Sequence, residues 1–483
     1  MLEDIIKERK KKLEEINRAD GSAFPVKVKR TATVSEILDN FPKVSRSTKK
    51  FFLVGRVIGL RDQGGLIFID LEDETGHIQV VFKKATLKNF NFLKSVIDRG
   101  DFISVVGVAF KTKRGEKSVD AREFKVISKS LRPIPTEWFG IEEIETRLRK
   151  RYLDLILNPE VKNIFKKKAV FWRSFRDYLL KNNFLEVETP VLESIPGGAE
   201  AEPFKTHHNA LETDFYLRIS LELSLKKLLV GGFEKVFEIG RIFRNEGIDR
   251  EHLQDYTQLE FYWAYHDLDD LIPFTEKLYK SVIKNTVGSL KTKFEGKTID
   301  WGKKWPKVSY VDAFLKANKI NPINATKEEL FKKAESLGLK PEKNLGKGRL
   351  IDLIFKKTVR PNLIQPCFLI DQPVELEPLA KRSKKNPKIV ERFQIMACGT
   401  ELGKGFSELN DPIDQRQRFE EQMKLREAGD KEAQQLDEDF LEALEYGMPP
   451  AAGFGVSERL FAVLMDKSVR ETVIYPLMKS KIK

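Results

Sequence analysis

The stretch Phe237-Glu-Ile-Gly-Arg-Ile-Phe-Arg-Asn-Glu-Gly247, with Tyr256-Thr-Gln-Leu-Glu-Phe-Tyr262 beyond it, decides the fold of this 483-residue chain. Side chains alternate between the two faces of a β-strand. Arg244 therefore ends the first strand and opens onto a polar loop. In the second strand the same period puts Glu260 on a polar face and Leu259 on an apolar face. We expect a strand pair with one face suited to chemistry; an ordinary hairpin with surface charges is the alternative.

The length and composition of the chain limit the class of protein to which it can belong. A chain of this length suggests two or three domains. The formal net charge of +13 favours polyanionic partners such as nucleic acid, although charge alone leaves the partner open. The only cysteines, Cys367 and Cys398, lie far apart in apolar runs and suggest a reducing compartment without a zinc site. The charged N-terminus and the absence of a long apolar run predict a soluble, cytoplasmic protein without a membrane partner.

Residues 1–45 are expected to form a basic helical extension. Apolar residues recur at helical intervals over residues 2–18, and Gly21 ends the pattern. Lys7 and Arg9 are expected on the remaining surface of this helix. Such a basic face could contact an RNA backbone or simply face solvent.

Residues 46–135 have the pattern of a small β-barrel. Five β-runs are separated by glycine-containing turns. The runs are Phe51–Val57, Leu66–Leu71, His77–Phe82, Phe102–Phe110 and Arg122–Ile127. Five short strands in about 80 residues are typical of an OB-fold, which binds single-stranded nucleic acid. The proline-containing run Leu131–Ile144 then indicates a linker.

Three signatures follow one another in the remaining chain. Phe243–Gly247 resembles the second signature of the class II aminoacyl-tRNA synthetases, Phe184–Pro190 resembles the first, and Gly453–Arg459 resembles the third. Three further runs are similar to the lysine-specific branch of subclass IIb: Ile195–Gly198, Phe204–Asn209 and Gly405–Asn410. The resemblance extends from about residue 50 to the C-terminus, and its ordered motifs make coincidence an unsatisfactory explanation.

The resemblance implies a fold and an activity. The expected fold is α+β: the OB barrel, then a catalytic domain at 136–483 with a mixed, mainly antiparallel sheet flanked by helices and an insertion at 270–345. The expected enzyme is a homodimer, with the first-signature proline Pro190 at the subunit interface. It would use ATP and Mg²⁺ to form lysyl-adenylate from L-lysine and then transfer lysine to tRNA(Lys).

Two residues are expected to carry the adenylation step, Arg244 and Arg459. The guanidinium of Arg244 can bridge the substrate carboxylate and the α-phosphate, because its planar fork holds two anions. The resemblance implies that Arg459 and Tyr256 cover the two faces of the adenine. It also places Glu246 and His252 against the nucleotide.

Charge sign is expected to set substrate identity. A buried ammonium requires anionic partners, and Glu260, Tyr262 and Glu408 supply two acids and a hydroxyl. The resemblance implies this full lysine-binding set: Gly198, Glu222, Arg244, Glu260, Tyr262, Lys404, Phe406 and Glu408. Within it, Glu222 matches the contact to the α-amino group, and Phe406 would pack the methylene stem.

The chain departs from the family pattern at functional positions. Glu401 matches a metal-binding position, but the second such position holds Gln394 where the family has Glu. Lys404 replaces an Asn that holds the substrate carboxylate, and the third signature is one residue short. In the barrel, the resemblance implies an anticodon-reading set: Arg56, Phe68, Gln79 and Glu123. Phe68 could instead be a core residue.

Three alternatives remain at this point. The chain could be an aspartyl or asparaginyl relative, although such a pocket would need a cation where the acids stand. It could be the paralogue that attaches lysine to a translation factor, but that paralogue lacks the barrel. It could also be a catalytically silent RNA-binding protein that keeps the fold.

Overall fold

The computed structural model describes residues 2–135, 143–247, 249, 251–342, 345–430 and 432–479. The chain divides into two compact units, Met1–Glu143 and Ile144–Lys483. The linker predicted over Leu131–Ile144 lies partly outside the described residues. None of the helices described is both long and apolar enough to cross a membrane.

The first unit is built around a closed five-stranded barrel with strand order β1-β2-β3-β5-β4. Its strands are β1 Phe51–Asp62, β2 Leu66–Asp73, β3 Gly76–Lys83, β4 Phe102–Lys111 and β5 Lys117–Ser128. Its helices are α1 Leu2–Asp20, α2 Val34–Asp39, α3 Phe41–Val44 and α4 Phe90–Val96. The barrel confirms the predicted OB-fold, and all five predicted strands are present.

The N-terminal helices pack into the core of this barrel. Ile16, Val34 and Phe41 are buried in the same apolar cluster as the inward-facing strand residues. The surface position predicted for Arg9 is wrong, because only 7% of this residue is exposed. Its guanidinium donates hydrogen bonds to the carbonyl oxygen of Ser130 at 2.8 Å, among others. A buried cation needs such partners, so Arg9 anchors α1 to the end of β5.

The second unit contains an eight-stranded sheet and a separate small sheet. The helices are α5 Ile144–Arg149, α6 Arg151–Leu157, α7 Pro159–Lys181, α8 Glu222–Val230, α9 Leu268–Val287, α10 Tyr310–Asn318, α11 Lys327–Ser336, α12 Lys347–Thr358, α13 Pro412–Glu427, α14 Glu438–Glu445 and α15 Arg459–Leu464. The strands are β6 Leu185–Glu186, β7 Leu192–Glu193, β8 Lys205–His208, β9 Thr213–Leu217, β10 Lys235–Phe243, β11 Asp255–Ala264, β12 Lys291–Phe294, β13 Lys297–Asp300, β14 Lys307–Ser309, β15 Cys367–Ile370, β16 Arg392–Ala397, β17 Thr400–Ser407 and β18 Ala451–Ser457.

The large sheet has the strand order β14-β15-β16-β17-β18-β11-β10-β6. The β14–β15 and β10–β6 pairs are parallel and the other pairs are antiparallel, which confirms the predicted mixed, mainly antiparallel sheet. The long helices α7 and α9 share an apolar cluster with Phe261 of β11 and Phe454 of β18. The stretch 270–345, expected as an insertion, thus supplies most of α9 and the edge strand β14. The opposite face of β11 carries Glu260 and Tyr262.

Candidate active site

A cavity of about 1100 Å³ lies over the central strands of the second unit. It is lined by thirteen of the fourteen residues that the sequence places in the catalytic site: Gly198, Glu222, Arg244, Glu246, His252, Tyr256, Glu260, Tyr262, Gln394, Glu401, Lys404, Phe406 and Arg459. The remaining one, Glu408, is not among the described residues that line the cavity. Residues that are up to 261 positions apart in sequence therefore share one space.

Two glycines of β18 form a gap between the polar rows of β11 and β17. Gly455 pairs with Glu260 on one side and with Lys404 on the other. Gly453 pairs with Tyr262 on one side and with Phe406 of β17 on the other. Because glycine has no side chain, the groups of the two outer strands can approach each other across β18.

Glu260 is held in place by uncharged donors. One carboxylate oxygen accepts hydrogen bonds from the Ser220 hydroxyl at 2.9 Å and the Leu221 backbone N–H at 3.2 Å. The other accepts from the Tyr262 hydroxyl at 2.8 Å. Burial, together with the surrounding carboxylates Glu222 and Glu260, raises the pKa of Tyr262 well above its usual value. Tyr262 is therefore a hydroxyl donor, and the described residues place no ion-pair partner beside the carboxylate of Glu260, which lines the cavity.

Glu408 is engaged by a lysine that the sequence analysis did not single out. The Nζ of Lys226 lies 2.5 Å from Glu408 Oε2 and 2.6 Å from Glu222 Oε1. The same ammonium lies 5.3 Å from the centre of the Phe406 ring. Lys226 follows Glu222 by four residues on α8, so helical spacing could have indicated this pair. Its contact with Glu408 had no sequence signal.

Lys404, which is half-buried, forms a second ionic group with the buried Glu377. Its Nζ lies 3.1 Å from Glu377 Oε2, and the Nε of Arg392 lies 3.4 Å from the same oxygen. Burial opposes the charged form of Lys404, but the negative charges of Glu377, Glu222 and Glu401 together outweigh this effect, and the pKa of Lys404 is raised. The sequence analysis missed both Glu377 and Arg392, since neither belongs to a recognised motif. Two cations and one acid leave a net positive charge at this end of the cavity.

The other part of the cavity wall carries the arginines predicted to bind nucleotide. Arg244 donates through Nε to the carbonyl oxygen of Ile219 at 3.3 Å, and its guanidinium carbon lies 5.7 Å from the Tyr256 ring centre. Arg459 donates to the carbonyl oxygens of Glu401 and Glu251 at 3.3 and 3.4 Å. These backbone contacts fix both guanidinium groups at the wall.

The predicted metal-binding pair offers one carboxylate and one amide. The Nε2 of Gln394 donates to Glu401 Oε2 at 2.5 Å. In the part of the chain that the structure describes, no group of three or more His, Cys, Asp or Glu side chains is arranged to hold a metal ion. This donor set fits Mg²⁺ that arrives with phosphates, because such ions use one or two carboxylates and keep several waters. It does not fit an all-protein metal cage.

None of the predicted anticodon residues belongs to the apolar core of the barrel, but they differ in exposure, and Gln79 is buried. Arg56 stacks its guanidinium 4.2 Å from the centre of the Phe102 ring. Phe68 is half-buried and belongs to neither the buried cluster nor the residues packed against it, so the core alternative is not supported. The amide oxygen of Gln79 accepts a hydrogen bond from the Ser118 hydroxyl at 3.1 Å. Glu123 is exposed and lies 3.7 Å from the ammonium of Lys50.

Comparison with known proteins gives matches over both units. A family model described as tRNA synthetases class II (D, K and N) matches residues 143–479, and one described as an OB-fold nucleic acid binding domain matches residues 51–127. Similar curated proteins named lysine–tRNA ligase include that of Pelotomaculum thermopropionicum, 43% identical over 99% of this chain and 96% of the relative. The Roseiflexus castenholzii protein is also 43% identical, over 99% of both chains. The Nostoc punctiforme protein is 41% identical over 99% of this chain and 88% of the relative.

The glycine gap predicts different outcomes for two alanine substitutions on the same strand. A Cβ on Gly453 would lie 2.1 Å from Glu408 Oε1 and 2.4 Å from the Tyr262 ring, whereas a Cβ on Gly455 would meet its nearest atom at 3.4 Å. We expect Gly453→Ala to lower the free energy of unfolding by about 1–3 kcal/mol through overpacking. Denaturant titration with Gly455→Ala as the matched control measures the difference. Equal, small effects would contradict the close packing at Gly453.

Proposed function

The chain belongs to the class II tRNA synthetases (D, K and N), and on this premise we propose that it attaches L-lysine to tRNA(Lys) through a lysyl-adenylate intermediate. One observation carries the choice of lysine: the cavity that holds Arg244 also holds the carboxylate of Glu260, without an ion-pair partner among the described residues, and its hydroxyl partner Tyr262. An amino acid with a cationic side chain matches this arrangement. The relatives named lysine–tRNA ligase support the same choice.

Substrate binding is proposed to follow the distribution of charge in the cavity. The acidic wall of Glu222 and Glu260 would hold the two ammonium groups of lysine, with Glu408 behind it. Phe406 would pack against the methylene stem, as aromatic rings do with the aliphatic parts of long cationic side chains. The substrate carboxylate would lie toward the positive end, near Lys404 and Arg244. Gly198, whose φ is 80°, brings its backbone close to Glu222 and Ser220.

Adenylation is proposed to depend on positioning and charge neutralisation. The lysine carboxylate attacks the α-phosphate of ATP, and pyrophosphate leaves. Arg244 would hold both reacting anions, and Arg459 and Tyr256 would hold the adenine, with Glu246 and His252 beside the nucleotide. Glu401, with Gln394 as a neutral neighbour, would hold the Mg²⁺ that neutralises phosphate charge. The adenylate then loses AMP as a terminal ribose hydroxyl of tRNA takes the lysyl group.

The rival functions receive less support. The matched family includes aspartate- and asparagine-specific members, but those substrates bring no side-chain cation to balance Glu260. A catalytically silent protein would have no need for Arg244, Glu246 and Arg459 in the same cavity. The barrel disfavours the paralogue that modifies a translation factor.

We further propose that the barrel reads the anticodon and that the enzyme is a cytoplasmic homodimer. Arg56, Phe68, Gln79 and Glu123 would contact unpaired bases and backbone, because stacking and polar edges are the usual means of reading single-stranded RNA. The dimer is supported by exposed apolar residues within and around the first signature, which we treat together as one apolar surface. Its exposed members are Leu180, Leu185, Val191 and Leu192, which expose 39–47% of their surface.

Amino-acid specificity provides the main test. We expect pyrophosphate exchange with lysine and none with aspartate or asparagine. Glu260→Gln should raise the KM for lysine about 10- to 100-fold, because it replaces a charged acceptor by a neutral one. The KM for ATP should stay within about threefold, since Glu260 faces the side-chain end. Glu432→Gln, at the rim of the same cavity, is the control; exchange with aspartate alone would contradict the proposal.

Base stacking in the barrel gives a separate prediction. Phe68→Ala should raise the KM for tRNA(Lys) about tenfold, because stacking on one aromatic ring contributes about 1–3 kcal/mol per base. Pyrophosphate exchange with lysine does not require tRNA and should be unchanged in the same variant. An unaltered KM for tRNA would remove Phe68 from the anticodon site.

The apolar surface predicts the oligomeric state. Light scattering should give twice the chain mass of 55.8 kDa, 2 × 55.8 = 111.6 kDa. Leu185→Asp should shift the protein toward the monomer, because a buried charge at an apolar interface is costly. Ile413→Asp alters an even more exposed apolar residue outside this surface and should leave the mass unchanged. A monomeric wild-type protein would contradict the homodimer.

A further inference from the structure

Lys226 is a fully buried ammonium that the proposed reaction does not use. Its Nζ contacts one carboxylate oxygen of Glu222 at 2.6 Å and one of Glu408 at 2.5 Å. The side chains of Lys226 and Glu408 have no exposed surface, and that of Glu222 has 3%. Removing charges from water is costly unless they are paired. Here a single cation serves two buried carboxylates.

Among the described residues, no second cation is in direct contact with these two carboxylates, although the more distant Lys404 acts on Glu222. Glu408 Oε1 has no hydrogen-bond donor among the described residues, and it lies directly over Gly453. The charged and titratable groups around the pair come from α8, β11, β16, β17 and the segment before β16: Lys226, Glu260, Tyr262, Arg392, Lys404 and Glu377. Of the cations in this set, Lys404 and Arg392 are engaged by Glu377. The Glu222–Lys226–Glu408 group is therefore one positive charge short.

Resting on the proposed function, we propose that Lys226 is a positioning residue that neutralises one of these two carboxylates, so that the other holds a proton in the absence of substrate and exchanges it for an ammonium group of the bound lysine. The proton leaves to the solvent buffer, and no covalent bond to carbon changes. Lys226 thereby sets how many cations the pocket accepts. Without the Lys226 ammonium, both carboxyl groups would hold a proton, and two protons would have to leave before both could bind cations as carboxylates.

The electrostatics of the group agree with this exchange. Burial raises the pKa of Glu222 to about 7 despite the opposing charge of Lys226. Burial also raises the pKa of Glu408 well above its usual value, and Lys226 again acts in the opposite direction. A carboxyl group with a raised pKa is protonated below that pKa and charged above it. Lysine affinity should accordingly fall as the pH is lowered through neutrality.

The wild-type protein allows a direct test. Isothermal titration calorimetry of lysine binding at pH 7, in buffers with different ionisation enthalpies, counts the protons exchanged. We expect release of roughly half to one proton per site, and affinity that falls up to about tenfold per pH unit below neutrality. At pH 7 both ammonium groups of lysine are mainly protonated and could only take up protons on entering an acidic pocket, so a released proton comes from the protein. No proton release together with a flat affinity from pH 6 to 8.5 would overturn the proposal.

Substitution of the resident cation separates positioning from a merely structural role. Lys226→Met should weaken lysine binding at least about tenfold at pH 7.5 and move the pH dependence to higher pH, while the KM for ATP changes little. Lys226→Arg keeps the charge and should restore most of the affinity. Lys227→Met, the next residue on α8 and paired at the surface with Asp439, is the matched control. Equal losses for lysine and ATP with an unshifted pH profile would overturn the role of Lys226.

The outcomes distinguish this inference from the proposed function. A wild-type protein that binds no lysine would contradict the proposed function itself. Lysine binding without proton release, together with a Lys226→Met variant of normal affinity, would contradict only the role of Lys226. Should Lys226→Met not fold, the proton count of the wild-type protein decides.

Discussion

An imbalance of buried charge governs the substrate site. Glu222, Glu260 and Glu408 are buried together with a single resident ammonium, that of Lys226, so the site is two positive charges short whenever all three carboxylates are ionised. Such an arrangement is unfavourable for an empty protein, because isolated charges lose their hydration on burial. It becomes favourable when a ligand brings two cations. The same imbalance of charge therefore lowers the stability of the empty site and favours a ligand with two ammonium groups.

The sheet places the acidic group around Glu260 near the basic group around Lys404, with one strand between Glu260 and Lys404. Lys404 and Arg392 oppose the single acid Glu377, which leaves a net charge of +1. Glu260 of β11 and Lys404 of β17 are separated by β18, whose Gly455 carries no side chain between them. A substrate with ammonium groups and a carboxylate can lie across this gap with every charge opposite its complement. The function proposed here depends on that spacing more than on any single contact.

Much of the fold could be predicted from local sequence patterns. The five barrel strands follow from period-two alternation and glycine turns, and the two faces of β11 follow from the same alternation around Glu260. The strand order of the large sheet has no local signal, because pairing joins strands far apart in sequence. Lys226 was detectable, since it lies one helical turn after Glu222. Glu377 was not, because it lies in an irregular segment 27 residues before Lys404. The prediction for Arg9 was wrong because helical periodicity considers α1 alone and gives no information about the carbonyl oxygens that bind this buried guanidinium.

The contact between Lys404 and Glu377 explains how the site can accommodate a lysine at position 404, where the family pattern has asparagine. The family resemblance implies a neutral asparagine there, and a lysine alone would add one positive charge to the site. Glu377 cancels that charge at 3.1 Å, so the two residues together are as neutral as the asparagine would be. The difference from asparagine is the length of the side chain. The Lys404 ammonium lies at the end of a long flexible side chain, and its contact with Glu377 restricts its position. Because Glu377 cancels the added charge, the proposed binding of the substrate carboxylate would depend on Arg392 and Arg244, and the proposed acidic wall would still select the substrate.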